Sequence, residues 1–164
     1  MVENVPDRGS DIADAPRRSS MLLGYLALTA ASLFTGAAFY INIAEHPARL
    51  ALDDRSLLAE WKPAYNRGYI MQASLAIIGF VLGAIGWWLT GKLGFLAGGI
   101  PVVANWPWTF LVIRPTNNML MSTELIDADA GTRALIIKWN RLHAVRTGLG
   151  AAAVGAFLIA LSSG

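Results

Sequence analysis

Four stretches of the chain contain no Asp, Glu, Lys or Arg: residues 21–44, 68–91, 93–113 and 147–164. A helix rises about 1.5 Å per residue and a bilayer core takes about 20 residues to cross, so each stretch is long enough to span. Inside lipid every backbone donor and acceptor has to be paired within the protein, and a helix does this within one segment. The expected fold class is therefore all-α, an integral membrane four-helix bundle, with short interfacial helices in the first and third connections. Residues 1–20 are expected as a flexible N-terminal tail and residues 21–164 as one four-helix transmembrane domain. If the spans alternate in direction, residues 45–67 and 114–146 emerge on the same side, and almost every side chain capable of chemistry lies in those two segments.

Composition narrows the functional classes. Apolar residues make up 55% of the chain and charged residues 15%, and the mean hydropathy is +0.48, too apolar for an ordinary soluble domain. Cysteine is absent, which removes disulfides, thiol nucleophiles, zinc–thiolate sites and iron–sulfur clusters. The net charge is only +2 and the cations are scattered among apolar spans, so no nucleic-acid partner is expected. The expected partners are the lipid bilayer and a hydrophobic small molecule, and the expected location is a membrane crossed several times, the cell membrane in a bacterial source. Nine Lys and Arg on the motif-bearing side against four on the other favour motifs in the cytoplasm, whereas Arg17 and Arg18 beside the first span favour the opposite orientation.

The first span is rich in small residues, Thr29 to Ser32 and Thr35 to Ala38, which let neighbouring helices approach closely. After it, Asn42, Glu45 and Arg49 share a helix face, Pro47 bends or restarts the helix, and His46 falls in an exposed bend. Pro63 suits the first turn of the second span, on which Tyr65, Tyr69 and Gln72 form a polar-tipped stripe. Trp87 and Trp88 mark the opposite interface, ahead of a hairpin at Thr90, Gly91 and Lys92. Pro101 and Pro107 kink the third span, whose freed carbonyls need side-chain partners. Arg114 and Pro115 end it, and Asn117 and Asn118 cap the short segment from Met119 to Ala128. Trp139, His143 and Arg146 stand at i, i+4 and i+7 at the mouth of the bundle.

Glu45-His46-Pro47-Ala48-Arg49, Trp61-Lys62-Pro63-Ala64-Tyr65, Arg114-Pro115-Thr116-Asn117-Asn118 and Trp139-Asn140-Arg141-Leu142-His143-Ala144-Val145-Arg146 occur in this order between the four spans. In this the chain resembles a family of small four-span membrane proteins, classed as a domain of unknown function, whose characterised members include anthrone oxygenases. The resemblance covers nearly everything from Met21 onward. It implies a monooxygenase that uses molecular oxygen without a cofactor, because a deprotonated anthrone is electron-rich enough to reduce oxygen itself.

On that reading His143 is the base, Arg146 with Asn117 stabilises the enolate oxygen, Glu45 joins the catalytic group, and Trp61, Tyr65, Trp139 and Arg49 complete the substrate site. No metal site is expected, since adjacent helical residues point about 100° apart and Glu45 with His46 would struggle to chelate one ion. Each residue also has a plainer role: Glu45 in an ion pair with Arg49 or Arg146, the asparagines as caps, the aromatic residues as an interfacial belt. A non-enzymatic membrane protein, held by a structural polar network and binding a lipid or partner protein, is the alternative. An aromatic-lined opening that reaches His143 favours the enzyme; a saturated network with no adjoining void favours the alternative.

Overall fold

Seven prolines run through this apolar chain, and the helices accommodate the six among the described residues without breaking into loops. The computed structural model describes residues 8–163, with side chains from residue 19 onward. The first span is built from α1 (Arg8–Tyr40), a π-helical turn (Ile41–Glu45) and α2 (His46–Leu50), and the second is α3 (Asp54–Thr90). The third joins α4 (Leu93–Val103), α5 (Asn105–Trp108), a second π-helical turn (Thr109–Ile113) and α6 (Arg114–Ser122). A single 3₁₀ turn, Leu125–Asp127, leads to the fourth span, α7 (Ala130–Ser162). All four are long and apolar enough to cross a membrane. Residues 1–7 of the expected tail lie outside the described residues; from Arg8 the backbone already belongs to α1.

The spans run farther than their charge-free stretches. The segment expected as an interfacial helix before the second span is the N-terminal part of α3, so Pro63 sits inside that helix rather than in its first turn. Asp53 caps α3 by accepting from the Ser56 amide at 3.0 Å, and Asp129 caps α7 by accepting from the Thr132 amide at 2.9 Å. These bonds favour the charged carboxylates and hold both below the usual aspartate range. At the other end α3 stops at Gly91, whose φ of +70° lets its amide reach the Trp87 carbonyl and closes the expected hairpin.

Both π-helical turns end two residues before a proline, at Pro47 and Pro115. Proline cannot donate to the carbonyl four residues back and its ring crowds that carbonyl. The wide turn reassigns the local bonds, His46 N–H to Ile41 O and Arg114 N–H to Thr109 O, so each helix continues past its proline. Pro47 therefore makes no exposed bend: His46 is buried. Nor does Pro115 end the third span, which continues to Ser122. The kink expected in that span is a break at Ala104, where Asn105 donates through Nδ2 to the carbonyls of Pro101 and Val102, at 3.3 and 3.0 Å.

Each span packs on the two that are its neighbours around a ring: first on second and fourth, third on second and fourth. Short connections make adjacent spans antiparallel, which puts the first and third connections at one end. Arg133 ties them together, donating to the Leu50 and Leu52 carbonyls and pairing with Asp54. The other end is packed by small residues against rings: Ala27, Ala31, Phe34, Phe95, Ala153 and Phe157 are all buried. A side chain at Gly98 would place its Cβ 2.5 Å from a Phe157 ring carbon, and one at Gly94 would meet Ala160 at 2.7 Å. Large residues such as Leu22, Ile70, Leu111 and Ile159 face outward, as lipid contact requires. Gly98→Val should cost about 1–3 kcal/mol through overpacking, seen as a lower unfolding temperature in detergent; an unchanged midpoint would contradict this packing.

Candidate active site

A polar compartment lies where the two connected ends meet. The fourth span presents Trp139, His143 and Arg146, all buried on one face as their spacing predicts. The His143 ring stacks on Trp139, with centroids 4.8 Å apart, and its Nδ1 lies 3.4 Å from the Asn42 side-chain oxygen. That oxygen also accepts from Thr147 at 2.7 Å, while Asn42 Nδ2 donates to the Asn140 backbone carbonyl at 3.0 Å and to its side-chain oxygen at 2.7 Å. A backbone carbonyl only accepts, which fixes the orientation of the Asn42 amide and turns its oxygen towards the imidazole. In neutral His143 the proton is thereby assigned to Nδ1, and Nε2 is left as the basic nitrogen. Asn42 was legible only as a polar residue sharing a face with Glu45 and Arg49.

The aromatic wall is held by a second asparagine. Trp139 Nε1 donates to Asn117 Oδ1 at 2.9 Å, and Asn117 Nδ2 donates to the Tyr65 hydroxyl at 3.0 Å. Trp61 stacks face to face on Tyr65, at 4.9 Å with planes 5° apart, and meets Trp139 edge-on at 5.7 Å. Asn117 is therefore not a helix cap. It sits within α6, buried, and commits both ends of its amide to the two rings.

Glu45 pairs with Arg49, and Arg49 also pairs with Glu60. The structural alternative for Glu45 thus takes the form of a pair with Arg49, not with Arg146. Arg146 has no carboxylate partner among the described residues; its guanidinium lies 5.5 Å from the centroid of the Phe34 ring, and its Nε is buried without a hydrogen bond. A narrow cleft, nearly filled by its own side chains, adjoins these groups, lined by Glu45, Arg49, Trp61, Tyr65, Trp139, His143 and Arg146 among others. Of the residues expected at the site only Asn117 stands behind this lining. Ile41, Glu45, Ala64 and Gly68 are shared with a shallower groove between the first and second spans, which opens the cleft sideways. Among the described residues no three His, Asp or Glu side chains gather in a metal-ligating group.

Removing the amide that joins the two rings leaves the buried Trp139 indole N–H without its acceptor, at about 1–3 kcal/mol, and the Tyr65 hydroxyl oxygen without its donor. Asn117→Leu should lower the unfolding temperature and alter tryptophan fluorescence together. Loss of neither would mean that the asparagine does not hold the wall.

Comparison with known proteins bears on this arrangement. The family model described as anthrone oxygenase matches residues 61–156, which include Trp61, Tyr65, Asn117, Trp139, His143 and Arg146. Anthrone oxygenase tpcL of Aspergillus fumigatus is 28% identical over 143 residues, covering 80% of this chain and 89% of the relative. An anthrone oxygenase of Claviceps purpurea is 28% identical over 136 residues, covering 74% and 78%, respectively. Anthrone oxygenase dmxR16 of a Cryptosporiopsis species is 25% identical over 149 residues, covering 82% and 84%. No solved structure matches the chain. With the family's match spanning more than half the sequence and four apolar helices around one polar cleft, this chain belongs to the anthrone oxygenase family of membrane proteins.

Proposed function

We propose that the protein is a cofactor-independent monooxygenase that takes a planar, enolisable aromatic compound of the anthrone type from the bilayer and oxidises its methylene carbon with molecular oxygen. The observation that carries this reading is the pairing, on one aromatic-walled cleft, of an imidazole with a defined tautomer and a buried guanidinium that has no counter-ion among the described residues. His143 removes a proton from the methylene carbon. Arg146 lies on the same cleft and stabilises the oxygen of the resulting enolate, where low polarity strengthens the interaction. The enolate gives its electrons to oxygen, a hydroperoxide forms at the carbon, and loss of water leaves a new ketone, so that one oxygen atom enters the product and the other leaves as water.

Trp61, Tyr65 and Trp139 flank the rings of the ligand, and Asn117 serves by holding two of those three side chains rather than by touching the enolate. The Glu45–Arg49 pair lines the same cleft and balances charge beside His143. The unsaturated cleft speaks against the structural alternative, since a network built only for packing would satisfy Arg146 from within.

The test is oxygen uptake by membranes containing the protein, with 1,8-dihydroxyanthrone as substrate and its uncatalysed oxidation subtracted. His143→Ala should lower the enzymatic rate by about 10²–10⁴-fold, the range for loss of a general base. Arg146→Met should lower it by about 10²–10³-fold, the range for loss of an oxyanion donor. Full activity in His143→Ala would remove that residue as the base, and a wild type without uptake above background would remove the reaction.

A further inference from the structure

Further along the bundle, between the second and third spans, lies a second, small gap with room for about one water-sized group. Tyr69, Gln72 and Arg146 line both this cavity and the outer cleft; Asn105, Trp106 and Thr109 form much of its far side. Gln72 is 1% exposed, and neither its amide nitrogen nor its amide oxygen has a hydrogen-bond partner among the described residues. Asn105 is 2% exposed; its nitrogen is used by the backbone carbonyls of Pro101 and Val102, which can only accept, so the free group is its oxygen. The Nε of Arg146 is unpartnered as well.

Buried amides are almost always paired, and a span surrounded by lipid has little water to fall back on. Open groups from three spans around one void therefore form a hydrogen-bonding pattern that lacks its complement. Two groups donate, Arg146 and the Gln72 nitrogen, and two accept, the oxygens of Gln72 and Asn105. A ligand with a carbonyl alone leaves both acceptors empty, and a carboxylate would face two amide oxygens. What fits is an accepting oxygen together with a hydroxyl hydrogen.

We propose that Gln72 and Asn105 form an inner binding compartment that receives the hydroxyl-bearing edge of a neutral aromatic ligand whose rings occupy the outer cleft. This rests on the reading of that cleft as a site for planar aromatic compounds, and not on the reaction assigned to it. The two residues select for ring hydroxylation, while the aromatic wall binds rings with or without it.

The test uses protein in lipid nanodiscs and two probes that do not turn over, 9,10-anthraquinone and 2-hydroxyanthraquinone, at pH 6, where the phenol is protonated. The hydroxylated probe should bind the wild type at least about tenfold tighter, the effect expected of one or two added hydrogen bonds. In Gln72→Met, which keeps length and removes both polar groups, the two affinities should come within about twofold of each other, with that for anthraquinone retained. Equal affinities in the wild type overturn the proposal without recourse to a variant, as does an unchanged ratio in Gln72→Met or the failure of both probes to bind. Discrimination between the probes by a protein that consumes no oxygen would support the compartment and sink the catalytic reading alone.

Discussion

The position of the site depends on one constraint, that a helix in lipid has to keep its backbone bonded through a proline. At Pro47 and Pro115 the chain meets this with a wide turn just upstream, and the helices go on to deliver Arg49 and Asn117 to buried positions at the connected end. Had either proline ended its span, these residues would stand in solvent-exposed connections. Asn117 would not join Trp139 to Tyr65, and Arg49 would not draw Glu45 and Glu60 together beside the cleft.

Within that frame two asparagines do the ordering and one arginine is left uncommitted. Asn42 fixes the imidazole, Asn117 fixes two of the rings, and each does so with both ends of its amide engaged. Arg146, beside them, lies over the Phe34 ring and has no carboxylate partner among the described residues. A fully compensated polar core would bring stability and no affinity for anything else; here a cation is buried without its complement, and binding can supply it.

Much of the fold could be read directly. Charge-free stretches gave the four spans, alternation put two connections at one end, and the spacing of Trp139, His143 and Arg146 placed them on one face. Prolines misled, because their local effect is to break helices, whereas the membrane environment favours repair of the helix around them. The helix therefore runs on past Pro115, and His46 is buried. The role of Asn42 was hidden for a different reason: its partners Asn140, His143 and Thr147 lie about a hundred residues away, and only the ring order of the spans makes them neighbours. Gln72 was visible as a polar residue in an apolar stretch, but not that both ends of its amide stay open; for Asn105 the open atom follows from the carbonyls freed by the break at Ala104.

The two ends of the bundle differ in how tightly they are filled. Where Gly94 and Gly98 meet Ala160 and Phe157, there is no room even for a methyl group, and close packing of this kind resists deformation. At the opposite end the aromatic cleft and its side groove leave gaps between the helices. Slack for a guest therefore lies at the polar end, where the first and second spans are joined by residues 51–53 and cross-tied by Arg49 and Arg133, and not at the glycine end.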